Sequence, residues 1–176
     1  STWLSRGGLA RALWPISLLM AALVAARRLA YRIGWLEPAR MPVPVLVVGN
    51  RIVGGAGKTP TTLALLGWLR AQGWHPGVLT RGHGASPSAN QSSGVLLDAH
   101  TAPRLQAQAT GDEPMLLWRR AQVPIMIGRD RASAGRALLE AHPEVDILVC
   151  DDGLQHLQLG RDLEIVVFDE RGAEIG

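Results

Sequence analysis

The 176 residues are 47% hydrophobic and 19% charged, a balance that excludes disorder and suits one α/β domain with a core of its own. The single cysteine, Cys150, excludes a disulfide framework or a cysteine-built metal site; it lies in the apolar run Val145–Cys150, reads as a core thiol and suits a reducing compartment. The net charge of +3 is unevenly spread: residues 1–40 hold six arginines and one glutamate, a net +5, leaving 12 basic and 14 acidic residues, a net −2, for the remainder. An anionic surface is therefore the expected partner of the amino-terminal segment. With no zinc finger, RNP-type aromatic pattern or basic zipper, nucleic acid is not an expected partner.

In chain order, Ala12–Ala26 is an uncharged run of 15 residues between Arg6 and Arg11 on one side and Arg27, Arg28 and Arg32 on the other. It falls short of the roughly 20 residues that a helix needs to cross the hydrocarbon core. Arginines follow it directly where a signal peptide would have a small-residue cleavage site, so secretion is disfavoured. Two readings remain: a helix packed on the domain, and the favoured one, a helix lying in a membrane interface with Trp3, Trp14, Tyr31 and Trp35 at headgroup depth and the arginines on phosphates. Pro38, Pro42 and Pro44 then end the helix, and the expected division is a membrane-associating segment 1–40 followed by a catalytic domain 41–176.

A parallel-type strand is predicted over Val43–Gly49, and the glycine-rich stretch that follows it ends in Gly57-Lys58-Thr59 at the start of a helix. Backbone N–H groups of such a turn converge on one anion, the helix adds its positive end, and Lys58 adds a full charge. Ile52, Val53, Gly54, Gly55, Ala56, Gly57, Lys58 and Thr59 are the expected nucleotide-phosphate site, with the Thr59 hydroxyl on Mg²⁺. Ile52 departs from the usual glycine at the first position of this pattern. Lys58 is the only lysine among 18 basic residues, and it stands where a flexible ammonium is wanted rather than a planar guanidinium.

The leucine stripe of Thr59–Gln72 predicts a helix ending at Gly73, and a strand over Gly77–Thr80 leads into Arg81-Gly82-His83-Gly84. Residues 85–110 read as loop with a short strand at Val95–Leu97; a helix from Gly111 to Arg120, a strand Val123–Ile127, a helix Arg131–Ala141 and strands Val145–Cys150 and Leu163–Asp169 complete the pattern. Strands alternating with helices predict a P-loop-type parallel sheet flanked by helices, with ligands at its carboxyl edge.

Three constellations fall at that edge. Asp151 and Asp152 end an apolar strand, where a carboxylate holds Mg²⁺ or its waters beside the phosphates. Asp112 and Glu113 open a helix and allow a division between a metal-side carboxylate and a base for an attacking hydroxyl. Arg81 and His83 are placed to reach phosphate or substrate. A chain whose only lysine is Lys58 cannot carry the Asn-Lys-x-Asp element of many GTP-binding P-loop proteins, so ATP is the expected nucleotide.

The series Gly49–Pro60, Thr80-Arg81-Gly82-His83-Gly84, Gly111-Asp112-Glu113-Pro114 and Asp151-Asp152-Gly153-Leu154-Gln155-His156 closely resembles the tetraacyldisaccharide 4′-kinases, the lipid A kinases of Gram-negative bacteria. The resemblance also covers the basic, apolar amino-terminal helix and Arg161-Asp162. It implies transfer of the γ-phosphoryl group of ATP to the 4′-hydroxyl of a tetraacyldisaccharide 1-phosphate, peripherally at the cytoplasmic face of the inner membrane. It further implies Asp112 as base, with Lys58 beside it in the chemistry, and Thr59, Glu113, Gln155, Asp151 and Asp152 as metal-side groups. Asn50, Arg81 and His156 fall to the substrate. His83 stands where the family usually has tyrosine, and the family continues into a second lobe, so the chain is expected to be its amino-terminal portion. The rival from another class is a membrane-recruited ATPase switch of the partitioning type; such proteins usually carry an additional early lysine in the loop, and here that place is Val53. A membrane-binding module with a vestigial loop is the third alternative.

Overall fold

The computed structural model describes residues 8–50, 57–82, 94–105, 110–151, 153–154 and 158–167. The chain falls into two units, Ser1–Pro38 and Ala39–Gly176. The first holds helix α1 (Gly8–Arg32), which begins before the uncharged run and continues through Arg27-Arg28, as the strong helix propensity of arginine allows. Within this unit Ser17–Ala26 are exposed all round, including Leu19 at 62% and Leu23 at 57%. Apolar side chains so presented find no packing partner in the unit itself. Among the described residues no helix is long and apolar enough to cross a membrane.

The second unit is built on six strands: β1 (Val45–Asn50), β2 (Pro76–Thr80), β3 (Val95–Leu97), β4 (Ile125–Ile127), β5 (Ile147–Asp151) and β6 (Leu163–Val167). Their order in the sheet is β3-β4-β2-β5-β1-β6. Among the described residues the unit's helices are α2 (Lys58–Ala71), α3 (Asp112–Ala121) and α4 (Arg131–Ala141). β1, β2, β4 and β5 are buried on both faces, which is why their sequences are continuous apolar runs rather than alternating ones. Alternate residues nevertheless serve different layers. Leu46, Val48, Val78, Ile147 and Val149 pack with Leu66, Leu69, Met115 and Leu117 of α2 and α3, whereas Val45, Val47, Leu79, Leu148 and Cys150 pack with Ala134 and Leu138 of α4. This two-residue alternation assigns Asp151 to the α2 side.

One expectation is corrected. The sheet is not wholly parallel, because edge strand β3 pairs antiparallel with β4, Val95 opposite Ile127 and Leu97 opposite Ile125. The reason lies in where the chain re-enters the sheet: Thr80 at the end of β2 and Val95 at the start of β3 both stand opposite Ile127, so β3 begins at the edge where β2 ends and runs the other way. Just beyond β3 the Asp98 carboxylate accepts N–H bonds from His100 and Thr101 at 2.9 and 2.8 Å in a local turn. Of the loop expected over 85–110, residues 94–105 and 110 are described and hold the expected short strand Val95–Leu97; the remainder lies outside the described residues, as does the end of the last expected strand.

At the sheet's amino edge, His142 at the end of α4 joins Asp98 and Glu144, with Nε2 3.0 Å from Asp98 Oδ2 and Nδ1 2.8 Å from Glu144 Oε1. Burial opposes the imidazolium, but hydrogen bonds and charge from Glu144 and Asp98 prevail and hold His142 above its ordinary value. A group raised on folding contributes stability that is full below its unfolded pKa and is lost as pH climbs through the folded one. His142→Asn is therefore expected to lower the thermal midpoint more at about pH 5.5 than at about pH 8.5, where the neutral ring contributes less. Equal shifts at both pH values would show that the imidazolium is not the stabilising form.

Candidate active site

The register of the central strands builds the site. Val48 of β1 stands opposite Asp151 of β5, so the carboxyl end of β1 and the acidic end of β5 are neighbours, about 4.8 Å apart across the sheet. Asn50 closes β1 on the same edge. A Cβ at Gly49 would collide with the Leu154 side chain, so glycine there leaves room for Leu154 beside the end of β1.

Residues 51–56 lie outside the described residues, and with them Ile52, Val53, Gly54, Gly55 and Ala56. Their far side is visible. Gly57 has φ 121°, a backbone that an L side chain rarely adopts, and it precedes α2, whose first turn carries no acidic residue and receives no side-chain cap. A helix begun in this way leaves amino-terminal N–H donors for an anion, and Lys58 is its first residue. Gly111, at φ 86°, plays the corresponding part before α3 and puts Asp112 and Glu113 in that helix's first turn.

Two hydroxyls of α2 tie these pieces together. Thr59 Oγ1 donates to Glu113 Oε1 at 2.9 Å, and Thr62 Oγ1 donates to Asp151 Oδ1 at 3.2 Å. Asp151 is only 1% exposed, whereas Asp112 is exposed at the rim. Of the residues singled out from the sequence, the structure thus joins Thr59 to Glu113 and aligns Asp151 with the end of β1. Arg81 follows β2 on the same edge and is exposed. Asp152, Gln155, His156 and His83 lie outside the described residues.

Two further side chains in this region carry no signal in the sequence. Thr62 is fully buried, and nothing in the run Thr59-Pro60-Thr61-Thr62 distinguishes it. Arg131, the first residue of α4, is 2% exposed. Its Nη1 donates to the Gly128 carbonyl, while Nε and Nη2 have no nitrogen or oxygen partner among the described residues and the guanidinium hydrogen-bonds the Cys150 thiol. Burial pushes the neighbouring Cys150 thiol up, and the Arg131 charge pulls against that shift. A cation buried at the positive end of a helix has both desolvation and the dipole against it, but its burial could not be read from the dipeptide Asp130-Arg131.

Thr59 with Glu113 and Thr62 with Asp151 form two oxygen-bearing pairs anchored on α2, and among the described residues no group of three His, Cys, Asp or Glu side chains could hold a metal ion. The start of α2, with no side-chain cap, suits a phosphate. A mostly parallel six-stranded sheet with helices on both faces makes the chain a mixed α/β domain. Residues 9–176 match the family model for tetraacyldisaccharide-1-P 4′-kinase, and the chain belongs to that family. It is 55% identical over 174 residues to the tetraacyldisaccharide 4′-kinase of Leptothrix cholodnii and 54% identical to that of Acidovorax sp. JS42, covering 99% of this chain in each case. It spans about half the length of these relatives, 48% and 49%. The crystal structure of the "apo" form of LpxK from Aquifex aeolicus, in complex with ATP, is similar with a TM-score of 0.76 and 30% identity, covering 94% of this chain and 51% of that one.

Proposed function

We propose that the protein carrying this chain transfers the γ-phosphoryl group of ATP to the 4′-hydroxyl of a tetraacyldisaccharide 1-phosphate, a step of lipid A biosynthesis. Family membership supports the reaction. The observation that carries the site assignment is the Thr59–Glu113 hydrogen bond, which couples the helix of the phosphate loop to the helix that presents Asp112. In this reading Ile52–Thr59 cradle the phosphates of ATP, and Lys58 neutralises charge on the transferring group. Thr59, Glu113, Asp151, Asp152 and Gln155 would hold Mg²⁺, which supplies charge neutralisation at the phosphates when bound. Asp112 accepts the proton of the 4′-hydroxyl as its oxygen bonds to the γ-phosphorus; the bond from that phosphorus to the bridging oxygen breaks, and ADP leaves. Asn50, Arg81 and His156 face the acceptor. Incubating the whole protein with ATP, Mg²⁺ and the disaccharide 1-phosphate should yield a 4′-phosphorylated product; ATP hydrolysis indifferent to the acceptor would sink the reading.

The second unit of the proposal is residues 1–40 as a membrane-interface segment, working peripherally at the cytoplasmic face of the inner membrane. An acceptor with four acyl chains stays in the bilayer, since each buried methylene contributes about 0.8 kcal/mol, so the catalytic domain 41–176 has to work at the surface. The all-round exposure of Ser17–Ala26 within its own unit supports a helix that meets lipid. Arg6, Arg11, Arg27, Arg28 and Arg32 would each contribute about 1 kcal/mol against anionic headgroups, a share that salt weakens. Deleting residues 1–36 is expected to release the protein from anionic vesicles in co-sedimentation while sparing ATP binding. Undiminished binding would place the membrane contact elsewhere.

A further inference from the structure

Thr61 and Thr62 are adjacent residues of one type on one helix, yet their hydroxyls do different things. Thr61 Oγ1 donates back to the Gly57 carbonyl at 2.7 Å, the habitual local bond of a helical threonine. Thr62 Oγ1 instead leaves its helix and donates to Asp151 Oδ1 on β5 at 3.2 Å, with Thr62 fully buried and Asp151 at 1% exposure. Thr62 lies one turn beyond Lys58 and three residues beyond Thr59, so the three share a side of α2. The first turns of this helix therefore reach Glu113 through Thr59 and Asp151 through Thr62, two carboxylates from different elements. Filling space does not explain a hydroxyl at position 62, because valine has nearly the same shape and would suit the surrounding apolar layer of Leu66, Val48 and Val149.

We propose that Thr62 is a positioning residue: it holds the Asp151 carboxylate in the orientation that serves the metal side of the site, and links that orientation to the helix carrying Lys58. The inference rests on the reading of Asp151 as a metal-side group. A hydrogen bond to a charged acceptor fixes the acceptor's rotamer as well as stabilising it, so its loss should appear in metal dependence rather than in nucleotide affinity as such.

The test compares Thr62→Val, which keeps the shape and removes the hydroxyl, with Thr62→Ser, which keeps the hydroxyl and removes a methyl. ATP binding to the whole protein is measured calorimetrically over a Mg²⁺ titration, together with the Mg²⁺ needed for half-maximal transfer and the thermal midpoint. Thr62→Val is expected to raise the Mg²⁺ requirement about tenfold while metal-free ATP affinity changes less than about twofold, and Thr62→Ser should restore the wild-type requirement. An unchanged requirement in Thr62→Val, or an equal rise in both variants, overturns the proposal in favour of a packing role. Should Thr62→Val fail to fold, Thr62→Ala against Thr62→Ser reads the same contrast. Asp151→Asn serves as the control: if it moves the Mg²⁺ requirement and Thr62→Val does not, only the Thr62 proposal fails. If Asp151→Asn leaves it unmoved, the metal-side reading of Asp151 falls and takes the Thr62 proposal with it.

Discussion

Lys58→Ala in the whole protein is expected to lower phosphoryl transfer by about 10²–10³-fold or more, with the fold intact, because in the proposed site it removes a charge directed at the transferring group. Lys58 is the first residue of α2, half-buried, in a helix whose first turn holds no acidic side chain. Removing its ammonium leaves the phosphates to the backbone dipoles and the Mg²⁺ proposed above, with no side-chain cation of the loop to follow the charge that develops on the γ-phosphoryl oxygens. No other lysine exists in the chain to substitute for it. An arginine at this position should rescue poorly, since a planar fork does not replace a compact ammonium in a tight turn. The thermal midpoint should move little, because Lys58 belongs to neither apolar layer. Near-normal turnover of Lys58→Ala would remove the phosphate assignment of the loop.

Asp112→Asn is expected to reduce kcat by about 10²–10⁴-fold, with ATP affinity and the Mg²⁺ requirement close to wild type. Asp112 sits exposed at the rim, in the first turn of α3, whereas its neighbour Glu113 is partly buried and already bonded to Thr59. A base has to meet the acceptor hydroxyl, which the rim allows. A metal-side group has to converge with Thr59, which Glu113 does. Adjacent helical residues point about 100° apart, so one dipeptide serves both tasks. If Asp112→Asn chiefly shifted the Mg²⁺ dependence, the roles of the two carboxylates would be exchanged.

Much of the domain is legible from the sequence because its four inner strands are buried on both faces. Val45–Val48 and Ile147–Cys150 are unbroken apolar runs, and only a central parallel strand needs such a sequence. Gly57-Lys58-Thr59 marks a helix start by composition alone, and Arg131–Ala141 has the bounds that its Asp130 cap and following His142 suggest. The edge is harder to read. β3 is three residues long, too short for periodicity to carry a direction, and its antiparallel pairing depends on its entering the sheet beside β4 at the edge where β2 ends.

Local chemistry was written into the chain: which residues can cradle phosphate, which carboxylates stand at strand or helix ends, and which segment is basic and apolar. Those properties follow from side-chain type and short-range spacing, and neither changes on folding. The tertiary structure alone decided which of those groups meet. Thr59 reaches Glu113 across 54 positions of sequence, and Thr62 reaches Asp151 across 89, because the strand order brings β5 beside β1 and lays α2 against α3. The burial of Arg131 has the same origin, since α4 covers the opposite face of the sheet where Cys150 points. Contacts of such separation are set by sheet order and register, which emerge from packing the whole domain, so no local pattern could have announced them.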